Sequence, residues 1–163
     1  MVKRIPPKPG QESVWDYPRP PRVEKSNKTV RIVFNGETIA ETNRAYRVLE
    51  TSHPPAYYIP LEDVKQEFLQ KTQRQTFCEF KGAASYWTVK VGDKSAANAA
   101  WTYENPTGRF EAVKDHIAVY PALMEACYVD DEQVQAQEGD FYGGWITSHI
   151  VGPFKGGAGT WGW

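Results

Sequence analysis

Three residues in one short segment, Arg47, Glu50 and His53, are of the types that move protons and hold anions. A glutamate and a histidine this close can reach a common point from a strand end or a turn. Histidine titrates near neutral pH, which suits general acid–base work. The same residues also describe a surface ion pair beside a loop histidine, an ordinary and weak arrangement. Both readings stand on the spacing.

Cys78 lies in Thr76-Phe77-Cys78-Glu79-Phe80-Lys81-Gly82. In a strand it shares a face with Thr76 and Phe80, and Lys81 is close enough to favour a thiolate. Free cysteine is also a common small apolar core residue. Tyr86, Trp101 and Tyr103 lie on neighbouring predicted strands. Period two puts Trp101 and Tyr103 on one face. That face either fills a core or, where the sheet curves, lines a pocket. Asp130-Asp131-Glu132 is either a metal-binding cluster or a solvated acidic turn.

Other chemistries lack their residues. Two cysteines and three histidines, with no two at ligand spacing, do not make a structural zinc site, and no zinc is expected. Gly152-Pro153-Phe154-Lys155-Gly156-Gly157 has glycines and a lysine but not the spacing of a phosphate loop.

The elements that must position these residues are mostly strands. Val30, Ile32 and Phe34 alternate, Asn35-Gly36 is a hairpin signal, and Glu37–Thr42 is the return strand. Residues 44–51 are ambiguous by period. Strands are expected at 56–59, 75–80, 84–91, 97–104, 116–120 and 128–131, with a helical turn at 110–115. One clear α-helix is expected over 61–71, from Pro60 before it, Glu62 and Asp63 in its first turn, and the stripe Leu61, Val64, Phe68 and Leu69. The fold class is therefore mainly β with a minor α part. Residues 1–28 form a proline-rich arm that docks through Trp15 and Tyr17, 29–138 the β domain, and 139–163 a Gly/Trp-rich tail packed by Trp145, Phe154, Trp161 and Trp163.

At 163 residues, with 40% hydrophobic and 24% charged residues, the chain fits one globular domain. A net charge of −1 offers no basic surface for a phosphate backbone, so no nucleic-acid polymer is expected as a partner. No apolar run approaches a membrane span of roughly 18 residues. With two distant cysteines and no secretory pattern, the expectation is a reduced, cytoplasmic setting and no membrane partner.

Several segments together resemble one family. They are Ser13-Val14-Trp15-Asp16-Tyr17-Pro18-Arg19-Pro20-Pro21, Arg47-Val48-Leu49-Glu50-Thr51-Ser52-His53-Pro54-Pro55, Tyr57-Tyr58-Ile59-Pro60, Cys78-Glu79-Phe80-Lys81-Gly82-Ala83-Ala84-Ser85-Tyr86-Trp87 and Ala100-Trp101-Thr102-Tyr103. Over residues 12–128 the chain is similar to the family called domain of unknown function 427, sometimes labelled nucleotidyltransferase-like. The resemblance implies a β-tent-like fold of two antiparallel sheets. It also implies a polar and aromatic place formed by Arg47, Glu50, Tyr58, Cys78, Lys81, Tyr86, Trp101 and Tyr103. Relatives in that fold group carry zinc on paired Cys-x-x-Cys motifs. This sequence lacks them, so neither the zinc nor the reductase chemistry of those relatives carries over.

Two functions follow. The first is a domain that binds a small nucleotide, base or heterocycle on aromatic walls, with charged groups fixing its orientation. The second is an enzyme in the same pocket, with Glu50 or His53 as base and Lys81 or Arg47 facing developing negative charge. Its chemistry would include nucleotide phosphoryl or nucleotidyl transfer, or cysteine redox at Cys78. A third class is a protein-interaction module built from the arm and tail.

Overall fold

The computed structural model describes residues 2–139 and 142–163. The described residues form strands β1 (Glu12–Ser13), β2 (Arg22–Lys25), β3 (Val30–Phe34), β4 (Glu37–Thr42), β5 (Tyr46–Leu49), β6 (Ala56–Pro60), β7 (Leu69–Cys78), β8 (Gly82–Val91), β9 (Lys94–Thr102), β10 (His116–Val119), β11 (Ala126–Val129), β12 (Glu132–Gln133), β13 (Gln135–Ala136), β14 (Trp145–Ile146) and β15 (Ile150–Val151). The fold is mainly β. A seven-stranded sheet runs β2-β5-β6-β10-β9-β8-β7 and a four-stranded sheet β12-β11-β3-β4. Every pairing in both is antiparallel. None of the described helices is long and apolar enough to cross a membrane.

Alternation builds both sheets. Val30, Ile32 and Phe34 are buried while Arg31 and Val33 are half-buried. The β3–β4 turn is the hairpin type that Asn-Gly favours, with φ of 47° at Asn35 and 79° at Gly36. The Asn35 side chain donates to the carbonyl of Val91 at 2.9 Å, tying this hairpin to the end of β8.

The main core lies between the two sheets. Ile32, Ile39, Cys127 and Val129 face Ile59, Ile117, Val119 and Val89 across it, with Trp145 completing the cluster. Fully burying each such aliphatic side chain is worth about 1.5–3 kcal/mol. The seven-stranded sheet is apolar on its other face as well. There Tyr58, Tyr86, Trp101 and Ala118 pack with Phe110 and Val113 of the 3₁₀ turns at Gly108–Val113. Successive residues split between the faces: Ile59, Ala100 and Ile117 go to the core, Tyr58, Trp101 and Ala118 to the opposite side.

The helix expected over 61–71 is absent. Leu61–Asp63 and Gln66–Phe68 are single 3₁₀ turns, and β7 begins at Leu69. Sheet pairing overrides the local pattern. Val64 bridges to Ala40, and the Lys65 amide donates to the Ile39 carbonyl at 2.8 Å. From Leu69 onward the backbone hydrogen-bonds to β8. The apolar stripe keeps a purpose, since Leu61, Phe68 and Leu69 pack on the main core from its edge.

Arm and tail both join the body. Arg22–Lys25, the end of the expected arm, is the edge strand β2 beside β5. β1 pairs in parallel with β15, and Val14 and Tyr17 pack with Leu49 and Ile150. The Trp15 indole donates to the Pro153 carbonyl at 2.9 Å and meets the Trp163 ring edge-on at 5.4 Å. Trp145 is fully buried, but Trp161, expected to pack, is 91% exposed. Its neighbour Thr160 takes the inward position, hydrogen-bonded to the Gly156 amide and the Gly157 carbonyl, which turns the next side chain outward.

Candidate functional site

A cavity of about 310 Å³ lies on the second face of the seven-stranded sheet. Its floor is aromatic. Tyr58 comes from β6, Tyr86 from β8 and Trp101 from β9, while Tyr103 and Tyr120 follow β9 and β10. Tyr86 and Trp101 are cross-strand partners, and the small Ala118 stands opposite Trp101 on its other side. The Trp101 indole donates to the Tyr58 hydroxyl at 3.0 Å, with the two rings perpendicular and 6.2 Å apart. The Tyr120 ring lies 4.6 Å from that of Trp101. The hydroxyls of Tyr86 and Thr76 are 3.0 Å apart. Burial pushes the phenols of Tyr58, Tyr103 and Tyr120 well above the ordinary tyrosine range. They are neutral hydrogen-bonding groups at physiological pH, not bases.

Glu50 and His53 stand on a turn after β5, held from two sides. From the arm, the Ser52 amide donates to the Val14 carbonyl at 3.0 Å and the Thr51 hydroxyl to the Tyr17 carbonyl at 2.5 Å. From the tail, the Lys155 amide donates to the Ser52 carbonyl at 2.9 Å. Ser52 sits in the left-handed region with φ of 72°, which makes the turn tight enough for the His53 amide to reach the Glu50 carbonyl. The His53 ring donates through Nδ1 to the Thr51 carbonyl at 2.9 Å, which leaves Nε2 as the acceptor of the neutral ring. Burial holds the His53 pKa below its ordinary 6.5, against the opposing pull of Glu50. Glu50 has Arg19 at 4.0 Å as a loose ion-pair partner.

Cys78 and Lys81 come from the β7–β8 hairpin. The Lys81 amide donates to the Cys78 carbonyl at 3.2 Å, and the Thr107 amide donates to the Lys81 carbonyl at 3.1 Å. Gly82 closes the loop at φ 105°, where a Cβ would meet the Asn105 carbonyl at 3.2 Å. Lys81 is half-buried and its ammonium is in no ion pair among the described residues. Phe77, 77% exposed, stands at the rim.

The remaining wall belongs to the tail. Gln137, Tyr142, Gly143 and Gly144 line the cavity. The Gln137 carboxamide accepts from the Gly144 amide at 3.1 Å and donates to the Lys155 carbonyl at 2.7 Å. The Tyr142 ring meets His53 edge-on at 5.5 Å. A Cβ on Gly143 would collide with the Trp101 ring, and one on Gly144 would come within 2.8 Å of the Pro54 carbonyl.

Eight sequence-predicted residues therefore meet in one place: Glu50, His53, Tyr58, Cys78, Lys81, Tyr86, Trp101 and Tyr103. Arg47 does not join them. On β5 its neighbour Val48 faces the cavity, so Arg47 points to the opposite side. There it is clamped by Glu12 at 2.6 Å and Glu24 at 2.5 Å, beside Tyr57 in a second cavity of about 290 Å³. Burial alone would raise the Glu12 carboxyl, but hydrogen bonds from Arg47 and Tyr17 hold it below its ordinary value. Arg47 thus ties β1 to β2 and β5. Asp130 and Asp131 line neither cavity. They form the β11–β12 turn at φ of 47° and 67°, and Asp130 accepts from the Thr29 amide at 2.8 Å. Among the described residues, no three or more His, Cys, Asp or Glu side chains are placed so that they could hold a metal ion together.

Sequence reasoning missed the tail wall and Tyr120. The one available signal for the wall was Gly143-Gly144 beside Tyr142, since paired glycines mark close backbone approach.

A family model described as Domain of unknown function (DUF427) matches residues 22–130. No curated protein matches the chain.

Proposed function

The chain belongs to the DUF427 family, and from that premise we propose that its aromatic cavity binds a small planar heterocycle, a base or nucleotide-like ring. One observation carries this reading: five aromatic side chains of the second sheet face surround a space edged by Glu50, His53 and Lys81. Ligand sites combine mostly apolar walls with a few convergent polar groups in this way. Aromatic floors stack rings, and a lysine in no ion pair among the described residues suits an acidic substituent. At about 310 Å³ the space is at the lower end of the usual range of about 300–1,000 Å³, which favours a ligand of base or nucleoside size. A cytoplasmic setting belongs to the same reading, supported by two cysteines that are both free.

His53 favours a second reading, an enzyme in the same cavity. Its Nδ1 is anchored and burial lowers its pKa, so Nε2 is an unprotonated acceptor at neutral pH, as a general base requires.

A thermal-shift screen with adenine, uracil, adenosine, uridine and their monophosphates tests the binding reading. At least one compound should raise the melting temperature by mass action, and the shift should shrink in Lys81→Ala and Glu50→Gln. No shift with any of them, or shifts unchanged in both variants, contradicts it.

A further inference from the structure

The family match ends at residue 130, yet part of the cavity wall comes from Gln137, Tyr142, Gly143 and Gly144. We infer that the tail sets the ligand specificity of this family domain: Gly143 positions Trp101 and, with Gly144 and Tyr142, limits what the cavity admits. The inference rests on the binding reading above, and it adds where selectivity resides.

Contact geometry carries the argument. Gly143 lies so close to the six-membered ring of Trp101 that a single methyl group there would overlap it. The indole is thus in contact with the tail at Gly143, and its ring centroid lies 4.6 Å from that of Tyr120. In this orientation its N–H donates to the Tyr58 hydroxyl at 3.0 Å. Gly144 makes the wall continuous with Pro54, again at a distance that excludes a side chain. Buried Gln137 braces the wall by joining the Gly144 amide to the Lys155 carbonyl. Lys155 in turn holds the turn that bears Glu50 and His53. Tyr142 covers His53 edge-on. The sheet supplies the aromatic floor, and the tail supplies part of the wall. Gly143 already touches the Trp101 ring, so a ligand ring entering the cavity meets Gly143 and Gly144 as part of its wall, and changes there should alter which ligands fit.

Gly143→Ala tests this against Gly162→Ala, a tail substitution into open space. The Trp101 indole N–H resonance, assigned by its loss in Trp101→Phe, is read first. It should shift in Gly143→Ala and stay in place in Gly162→Ala. The ratio of adenine to adenosine affinity is read second and should change at least about threefold in Gly143→Ala alone. Tyr142→Ala, which adds no atom, keeps the test open if Gly143→Ala folds poorly. It should move the His53 ring resonances and relax the discrimination between adenine and adenosine. An unmoved Trp101 resonance in folded Gly143→Ala, unmoved His53 resonances in Tyr142→Ala, or an adenine-to-adenosine ratio unchanged in both variants overturns the inference. The resonances need no ligand. If no compound binds the parent protein, the binding reading fails while the tail's hold on Trp101 and His53 is still decided.

Discussion

The indole of Trp101 donates its one hydrogen bond to the hydroxyl of Tyr58, 43 residues away and fully buried. The bond joins β9 to β6 across β10, and so fixes the aromatic floor as one unit. Tyr58→Phe removes the acceptor and leaves a buried N–H unsatisfied, at a cost of about 1–3 kcal/mol. Urea unfolding should show the lower midpoint. In a double-mutant cycle with Trp101→Phe the two losses should be less than additive. Strict additivity would mean that the bond does not form.

Arg47 should matter for stability and not for ligand. Its two carboxylate partners are each about 40% exposed, so solvent screening reduces the loss in Arg47→Met below the 3–5 kcal/mol of a deeply buried pair, to about 1–3 kcal/mol. The same variant carries a pH signature. Glu12 titrates below its ordinary 4.5 in the folded protein, so it contributes stability that is present above 4.5 and lost as pH falls through the lower folded value. Denaturation followed from pH 5 to pH 3 should give a shallower acid loss in Arg47→Met than in the parent. Equal slopes would place the acid sensitivity elsewhere.

His53 gives a second pH window. Its folded pKa lies below 6.5, so between those two values the unfolded chain binds more protons. Stability from this residue is therefore fully present above pH 6.5 and declines as pH drops below it. The His53 Cε1–H resonance should titrate with a midpoint under 6.5, and His53→Gln should flatten the stability profile in that window. A midpoint above 6.5 would contradict the buried, neutral ring.

The two cysteines should behave differently. Cys127 is in the core, and burial pushes its thiol up to about 12. Cys78 is half-buried at the cavity. A thiol reagent should modify Cys78 in the native protein and Cys127 only after denaturation. Two equally fast native equivalents would refute the core placement of Cys127.

The β framework was legible because its signals are local. Alternation in Val30, Ile32 and Phe34, and the Asn35-Gly36 turn, need no knowledge of the rest of the chain. The segment from Leu61 misled because apolar residues spaced by three or four suit a helix, and two 3₁₀ turns capped by strand pairing satisfy the same spacing. Period two grouped Trp101 with Tyr103. It could not say which face was core, since both faces of the seven-stranded sheet are apolar. Arg47 faces away because its β5 neighbour Val48 faces the cavity, whereas Glu50 stands on the turn beyond the strand. Their closeness in sequence concealed this. The tail wall carries no period at all. Gly143 and Gly144 are explained only by Trp101 and Pro54, which lie far from them along the chain.

The most direct test of the binding account uses the six tryptophans as reporters of place. Trp101 alone among them lines the larger cavity. Titrating adenosine into the protein while recording the indole N–H resonances should move the Trp101 signal saturably and leave those of Trp15, Trp145 and Trp161 in place. Saturable movement at Trp15 or Trp161 with Trp101 unmoved would place binding on the arm and tail surface and contradict the account.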